Sequence, residues 1–140
     1  MLIIPFNIEN DMFALGIGNI TEIIPVVNII TIPDSNKFII GMINYRGNII
    51  PLIDLKKIIS GTDTNFFLSS RIIIIKENDT NANAVLIEKL TDTMEIEEKN
   101  IDYDSAELVR SAYLKGLIKY NNQIIKLLNT DSIFDLIFKA

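Results

Sequence analysis

Short apolar runs separated by polar turns set the pattern along this chain. The most regular run is four consecutive isoleucines at residues 72–75, followed by Lys76 and Glu77. A continuous apolar run of this length, bounded by polar residues, predicts a strand with both faces covered. The polar residues 78–83 then predict a turn, and residues 84–87 predict the partner strand.

A hairpin is predicted around an arginine. Residues 39–45 and 49–53 are largely apolar, and Arg46, Gly47 and Asn48 lie between them. Glycine accepts the positive φ that tight hairpin turns require. Strand signals recur about every ten residues, as in sandwiches and barrels. The sequence therefore predicts an all-β fold.

Helical signals are few and short. Asp54 is a candidate N-cap for a turn that extends through Ile59, which is a structural role. Residues 130–132 are candidate caps of a C-terminal helix. Residues 104–113 are predicted to contain one further helical turn.

An internal repeat is the most informative feature of the sequence. With an offset of 75 residues, seven of the 19 positions from 41 to 59 are identical. The identical pairs are Gly41/Gly116, Ile43/Ile118, Tyr45/Tyr120, Ile49/Ile124, Ile50/Ile125, Leu52/Leu127 and Ile58/Ile133. With an offset of 70, residues 14–22 resemble residues 84–92. The alternative is chance similarity between isoleucine-rich strands. We favour two copies of one β unit, each ending in a short helix, that form two small barrels.

Composition excludes several kinds of chemistry. The 140 residues include no cysteine and no histidine, which excludes thiol nucleophiles, disulfides, Cys/His zinc sites and a Ser-His-Asp triad. Only carboxylates remain to hold a metal, and no EF-hand spacing occurs. The acidic residues 95–104 predict a solvated face. We therefore expect no enzyme activity, no metal and no cofactor.

Charge and hydropathy favour a cytoplasmic location. The net charge is −5 and the isoelectric point is about 4.7, so a nucleic acid is an unfavourable partner. The N-terminus lacks the cationic segment and the long apolar run of a signal peptide. No apolar stretch is long enough to cross a bilayer. We expect a cytoplasmic domain with no direct membrane insertion.

The two copies differ at the hairpin. Arg46 and Gly47 in the first copy correspond to Asn121 and Asn122 in the second. An Asn-Asn pair supplies the turn conformation equally well, so the turn does not require an arginine. We predict that the guanidinium of Arg46 pairs with Glu22 and orients a binding surface. The alternative is an ordinary solvated arginine.

Residues 41–55, GMINYRGNIIPLIDL, resemble the signature of CheW-like domains, which reads roughly G-V-[IV]-N-L-R-G-x-[IV]-[IV]-P-[IV]-[IV]-D-L. Further segments resemble those of the family in the same order: residues 20–24, 32–33, 85–88 and 114–116. The resemblance extends over about residues 6–138. Two departures are Tyr45, where leucine is usual, and Glu88, where aspartate is usual.

The resemblance implies two SH3-like, five-stranded β-barrel subdomains with short helices, intertwined within one domain over residues 1–140. It also implies a non-catalytic adaptor that couples the cytoplasmic tips of chemoreceptors to the regulatory domain of the histidine kinase CheA, in arrays at the inner face of the membrane. Two alternatives remain. One is a CheW-like adaptor of a pilus or surface-motility pathway. The other is a β-barrel module that binds a peptide or small ligand outside a kinase array.

The resemblance also places candidate binding residues. A receptor tip is a helical hairpin and requires an apolar groove. The groove candidates are Ile20, Glu22, Ile24, Val26, Val27, Ile30 and Arg46, of which the two charged residues would set the register. Strand alternation turns about half of the apolar ones inward. The candidates for the kinase interface are Gly47, Asn48, Asn121 and Asn122, at the hairpin tips.

Overall fold

A computed structural model describes residues 1–33, 36–76 and 81–138. Residues 78–80 of the predicted turn over residues 78–83 lie outside these ranges. The strand after the turn begins at Ala82, two residues earlier than predicted.

The described residues form strands joined by turns and loops, together with three short α-helices and two 3₁₀ helices, Ile17–Asn19 and Glu98–Asn100. The strands are β1 (Leu2–Ile8), β2 (Asp11–Gly16), β3 (Ile20–Pro25), β4 (Ile39–Tyr45), β5 (Asn48–Asp54), β6 (Arg71–Lys76), β7 (Ala82–Ile87), β8 (Met94–Glu95), β9 (Ile101–Asp102), β10 (Leu114–Tyr120) and β11 (Gln123–Leu128). The helices are α1 (Leu55–Ser60), α2 (Ala106–Arg110) and α3 (Thr130–Phe138). The predicted all-β class, with short helices that include a C-terminal one, is confirmed.

The strands belong to two compact units. The first unit contains residues 1–18 and the described residues from Thr91 onward, and the second contains Asn19–Leu90. The sheet of the first unit has the order β8-β1-β2-β11-β10-β9. The sheet of the second unit has the order β3-β6-β7-β5-β4. The prediction that residues 1–140 form one domain stays a prediction.

The sequence repeat is a structural repeat, but its copies do not coincide with the two units. In the first unit β2 pairs in parallel with β11, with Ala14 opposite Leu127. In the second unit β7 pairs in parallel with β5, with Ala84 opposite Leu52. These four residues are two matched pairs of the repeat. Each unit therefore combines a strand from one sequence copy with a hairpin from the other.

A sixth strand in the first unit replaces a single bridge in the second. The segment after β3 contacts β4 through Ile30 and Met42, whose amides and carbonyls bond reciprocally at 2.7 Å. The corresponding contact in the first unit is the short strand β9, with Asp102 opposite Leu117. The predicted number of five strands is thus correct for the second unit, whereas the first unit has six. In the second unit the contact connects the chain leaving β3 with β4, the opposite edge strand of the sheet.

Isoleucine fills the interior of both units. Residues 72–75 are all buried, as predicted for a strand covered on both faces. The core of the second unit consists of Ile43, Ile50, Leu52, Ile72, Ile74, Ala84 and Leu86. The core of the first consists of Ile3, Ala14, Ile96, Ile101, Ile118, Ile125 and Leu127. β-Branched side chains suit the pleated surface of a sheet, which explains why one residue type serves so many core positions.

Candidate partner-binding site at the Arg46 hairpin

The turn between β4 and β5 holds its two residues in the left-handed region. Arg46 has φ of 51° and Gly47 has φ of 85°. The amide of Gly47 donates a hydrogen bond to Oδ1 of Asn44 at 3.0 Å. The matching turn of the first unit has Asn121 at 46° and Asn122 at 62°. As predicted, the Asn-Asn pair supplies the same turn conformation.

Backbone preference does not account for an arginine at this turn. A residue with a Cβ is strained at positive φ by about 1–2 kcal/mol, and asparagine tolerates that region better than arginine. Arg46 occupies it nonetheless, with its side chain 72% exposed. The residue therefore contributes through its side chain and not through the turn.

Three side chains meet beside this turn, and we call them the Glu22 cluster: Glu22, Tyr45 and Arg46. The predicted ion pair is confirmed, with Nη2 of Arg46 at 3.1 Å from Oε2 of Glu22. The hydroxyl of Tyr45 donates a hydrogen bond to the same oxygen. The guanidinium carbon of Arg46 lies 5.4 Å from the ring centroid of Tyr45, within cation–π range. Each member therefore contacts the other two.

The cluster shifts the pKa of two of its members, Glu22 and Tyr45. The hydrogen bond from Tyr45 lowers the pKa of Glu22, and Arg46 lowers it further against the opposing effect of burial. The same hydrogen bond, together with burial, raises the pKa of Tyr45. Glu22 is therefore ionised and Tyr45 is neutral at physiological pH. Exposed ion pairs contribute little to stability, so the value of this cluster lies in the fixed orientation of its charges.

The apolar groove candidates divide between core and surface. Ile24 and Val26 pack against the core of the second unit, and Ile20 is half-buried. Val27 and Ile30 are exposed. Ile30 lies opposite Met42, three residues along β4 from Tyr45, which is about 10 Å. The exposed candidates Val27 and Ile30 therefore lie on the segment that follows β3, the strand that carries Glu22.

The structure adds Ile23 and Ile32, both exposed, to the apolar residues of this segment. Neither was predicted. Ile23 lies on the outer face of β3, next to Glu22 in sequence. Strand alternation was the signal that could have placed it on the opposite face from Ile24.

The hairpin-tip candidates for the kinase interface are all exposed. Gly47, Asn48, Asn121 and Asn122 lie at or next to the turns that end β4 and β10. The sequence repeat matches Ile49 with Ile124 but does not predict that these two isoleucines are exposed beside the turns. Ile49 is 53% exposed and Ile124 is 48% exposed. Each hairpin thus presents one apolar side chain next to its tip.

Tyr45 is the main functional candidate that sequence reasoning missed. In the sequence it stands out only as a departure from the leucine that is usual in the family. Its hydroxyl reaches Glu22 because the chain from β3 returns to β4, so that residues 23 positions apart become neighbours. The available signal was the hydroxyl of Tyr45 itself, a polar group at the end of the largely apolar strand β4.

A second apolar surface also went unpredicted. Phe66, Phe67 and Leu68 follow α1 in an exposed loop, and Leu68 is fully exposed. The buried Ser70 accepts a hydrogen bond from the amide of Phe67 at 2.8 Å and donates one to the carbonyl of Glu88 at 2.9 Å. Three consecutive apolar residues in a polar loop were the signal. These hydrogen bonds hold the loop in one shape.

Two other carboxylates have structural roles. Asp54 caps α1, as predicted, by accepting from the amide of Lys57 at 3.1 Å, and it also binds the amide and hydroxyl of Thr64. Glu88 accepts from Nζ of Lys56 at 2.8 Å and from the amide of Asn65 at 2.8 Å. Burial raises the pKa of Glu88, but these two partners together with the charge of Lys89 outweigh it, and the net pKa is lowered.

The cap of the C-terminal helix differs from the prediction. Residues 130–132 were the candidate caps, but α3 begins at Thr130. Oδ1 of Asn129 accepts from the amide of Ser132 at 3.1 Å, the N-cap pattern. Asn129 is the repeat counterpart of Asp54, so the two helices are capped at matching positions, Asp54 as the last residue of β5 and Asn129 directly after β11.

The described residues offer no grouping of carboxylates suited to a metal ion. The acidic residues predicted to be a solvated face are exposed, namely Glu95, Glu97, Glu98, Asp102 and Asp104. In the described part of the chain, no helix has the length and apolar character needed to cross a membrane.

Comparisons with known proteins agree with this picture. The profile of the CheW-like domain family matches residues 3–138. The chemotaxis protein CheW of Thermotoga maritima is 28% identical over 133 residues, which cover 95% of this chain and 87% of that protein. The chemotaxis protein CheW of Helicobacter pylori is also 28% identical, with coverage of 93% and 79%. The crystal structure of the scaffolding protein TtCheW from Thermoanaerobacter tengcongensis superposes with a TM-score of 0.80 at 29% identity, covering 91% of this chain and 88% of that one.

Proposed function

Since this chain belongs to the CheW-like domain family, we propose that it is a non-catalytic chemotaxis adaptor that couples chemoreceptors to the histidine kinase CheA. The observation that carries the proposal is the Glu22 cluster, an oriented ion pair whose Glu22 lies on β3, the strand that precedes the exposed apolar residues Val27 and Ile30. Such a site can hold a partner by contact alone, without making or breaking a bond.

The receptor partner is the helical tip of a chemoreceptor. A helix binds a β surface through apolar residues, with polar groups at the rim that fix its register. Val27 and Ile30 supply exposed apolar area, and Arg46 supplies a charged donor at its edge. Arginine is among the residues that most often dominate binding energy at interfaces. We assign the receptor contact to this surface.

The kinase partner is the regulatory domain of CheA. The hairpin tips at Gly47 and Asn48 and at Asn121 and Asn122 support this contact, because they are exposed and are repeated in the two units. A protein with two similar hairpins can contact two domains of its partner or bridge two partners. The adaptor is cytoplasmic in this proposal and is recruited to receptor arrays at the membrane.

The experiment measures binding to two purified probes, a CheA regulatory domain and a receptor-tip helical hairpin, by titration calorimetry and size exclusion. The decisive variant is Arg46→Asn, which removes the guanidinium but places at the turn the residue that the second copy uses. We expect at least a tenfold loss of receptor affinity, which corresponds to about 1.4 kcal/mol. Asn121→Ala is the control for a change at a hairpin tip of the other unit.

The outcomes separate the possible functions. Binding of both probes, with receptor affinity lowered by Arg46→Asn but not by Asn121→Ala, supports the adaptor. Binding of neither probe contradicts it and favours a module that recognises another peptide. Binding of the kinase domain alone contradicts the assignment of the receptor surface.

A further inference from the structure

We propose that Tyr45 is a positioning residue that locks Glu22 and Arg46 into the geometry in which they meet a partner. The test of this inference by receptor binding rests on the proposed function. The test by Arg46 side-chain mobility needs only the free protein. The juxtaposition that carries it is one carboxylate oxygen shared by a phenol and a guanidinium, with the guanidinium lying over the ring of that phenol.

The shared oxygen makes Tyr45 a second anchor for Glu22. Oε2 of Glu22 accepts from the Tyr45 hydroxyl and from Nη2 of Arg46. Pairing with a flexible arginine alone costs both side chains rotamer freedom. That entropic cost opposes the pair, so a carboxylate held only by an arginine also populates other rotamers. The Tyr45 side chain has only two rotatable bonds before the ring, and β4 fixes its start. The phenol therefore restricts the carboxylate at a small entropic cost.

The ring of Tyr45 restricts Arg46 in turn. The guanidinium carbon is 5.4 Å from the ring centroid, and the guanidinium has five donors, of which Nη2 meets Glu22. The Arg46 side chain is 72% exposed. Ring and carboxylate thus hold one part of the guanidinium and leave other donors directed to solvent, where an acceptor on a partner can bind them. Preorganisation of this kind strengthens binding by reducing the ordering that association requires.

The repeat supplies a matched control within the same chain. Tyr120 corresponds to Tyr45 and also ends the strand before a two-residue turn, but the next residue is Asn121. Tyr120 is exposed, whereas Tyr45 is half-buried and packs against the core of the second unit. Removal of the hydroxyl at either position changes the same group in the same local backbone. Only the change at Tyr45 removes a bond to an ion pair.

The binding experiment uses the full chain and the receptor-tip helical hairpin. Tyr45→Phe keeps the ring and removes only the hydroxyl, and we expect a three- to tenfold loss of affinity. Tyr120→Phe is expected to leave the affinity unchanged. In a Glu22→Ala background, Tyr45→Phe is expected to have no further effect, since the hydroxyl then has no carboxylate to hold. A role of Tyr45 in packing alone would give the same loss in both backgrounds.

A second measurement uses the free protein. NMR relaxation of the Arg46 side-chain Nε–Hε group is expected to show greater mobility in Tyr45→Phe than in the wild-type protein, and no change in Tyr120→Phe. Unchanged mobility of Arg46 in Tyr45→Phe overturns the inference. If the wild-type protein does not bind the receptor probe, the proposed function fails, and this measurement still decides whether Tyr45 positions Arg46.

Discussion

The hairpins β4–β5 and β10–β11 share a backbone and differ in chemistry. Both have a seven-residue first strand, a tyrosine at its end, a two-residue left-handed turn and an exposed isoleucine after it. Only the β4–β5 hairpin carries Arg46 and contacts a carboxylate from another strand through its tyrosine. The turn specifies the conformation, and residues that the turn does not require specify the binding chemistry.

The supports behind the two hairpins also differ. At Gly41 a Cβ would lie 2.5 Å from the carbonyl oxygen of Ile30 and 2.6 Å from a side-chain atom of Ile29. At Gly116 the nearest atom would be a methyl carbon of Ile101 at 3.1 Å. In the second unit, the backbone of the segment after β3 therefore packs directly against Gly41 of β4. In the first unit, only a side chain of β9 packs against Gly116 of β10, and that side chain can shift.

The largest expected effect follows from this difference. Gly41→Ala forces apart two backbone segments that are hydrogen-bonded to each other, and overpacking of this kind costs about 3 kcal/mol. Gly116→Ala displaces a side-chain methyl group and costs about 1 kcal/mol. Urea unfolding of the two variants measures both values. Equal losses would contradict the closer backbone approach in the second unit.

The helix caps give the next largest contrast. Asp54→Ala leaves the amide of Lys57 and two groups of Thr64 without their acceptor at a buried site, and we expect a loss of about 2–3 kcal/mol. Asn129→Ala removes one bond, to the amide of Ser132, and should cost about 1 kcal/mol. Thermal and urea unfolding compare the two variants. A larger loss at Asn129 would contradict the additional role of Asp54 in holding the loop after α1.

An exchange of turn residues tests the hairpin comparison directly. Arg46→Asn should stabilise the protein by about 0.5–1 kcal/mol, since asparagine tolerates positive φ better than arginine. Asn121→Arg should destabilise it by a similar amount. Urea unfolding gives both signs. A loss of stability in Arg46→Asn would show that the ion pair with Glu22 outweighs the strain of the turn.

Local patterns allowed much of the fold to be predicted. The hairpin around Arg46, the buried strand at residues 72–75 and the cap at Asp54 depend on neighbours within a few residues. The parallel pairs β2 with β11 and β5 with β7 join distant segments. No local pattern distinguishes a strand that pairs within its own sequence copy from one that pairs with the other. The residue pattern for that reason did not predict which strands the copies exchange, and the intertwining of the subdomains was only what the family resemblance implied.

The candidate site was predictable only in part. The ion pair between Glu22 and Arg46 followed from the differences between the two copies. The division of the apolar candidates did not, because the inward and outward alternation of β3 continues through Val27 and then shifts by one residue at Asn28. Ile30 therefore faces solvent although its even spacing from Ile24 suggests the core. The Tyr45 hydrogen bond depends on the return of the chain from β3 to β4.

The smallest expected effect concerns the alkaline pH range. The folded-state pKa of Tyr45 is raised above its usual value near 10 by its bond to Glu22 and by burial. Below pH 10 the neutral phenol makes its full contribution to stability, and that contribution is lost as the pH rises through the folded-state pKa. In an ultraviolet titration at the phenolate band, the difference between wild type and Tyr45→Phe should therefore have its midpoint above pH 10, and the Glu22→Ala background should lower it. A midpoint that Glu22→Ala leaves unchanged would attribute the shift in the pKa of Tyr45 to burial and not to the hydrogen bond with Glu22.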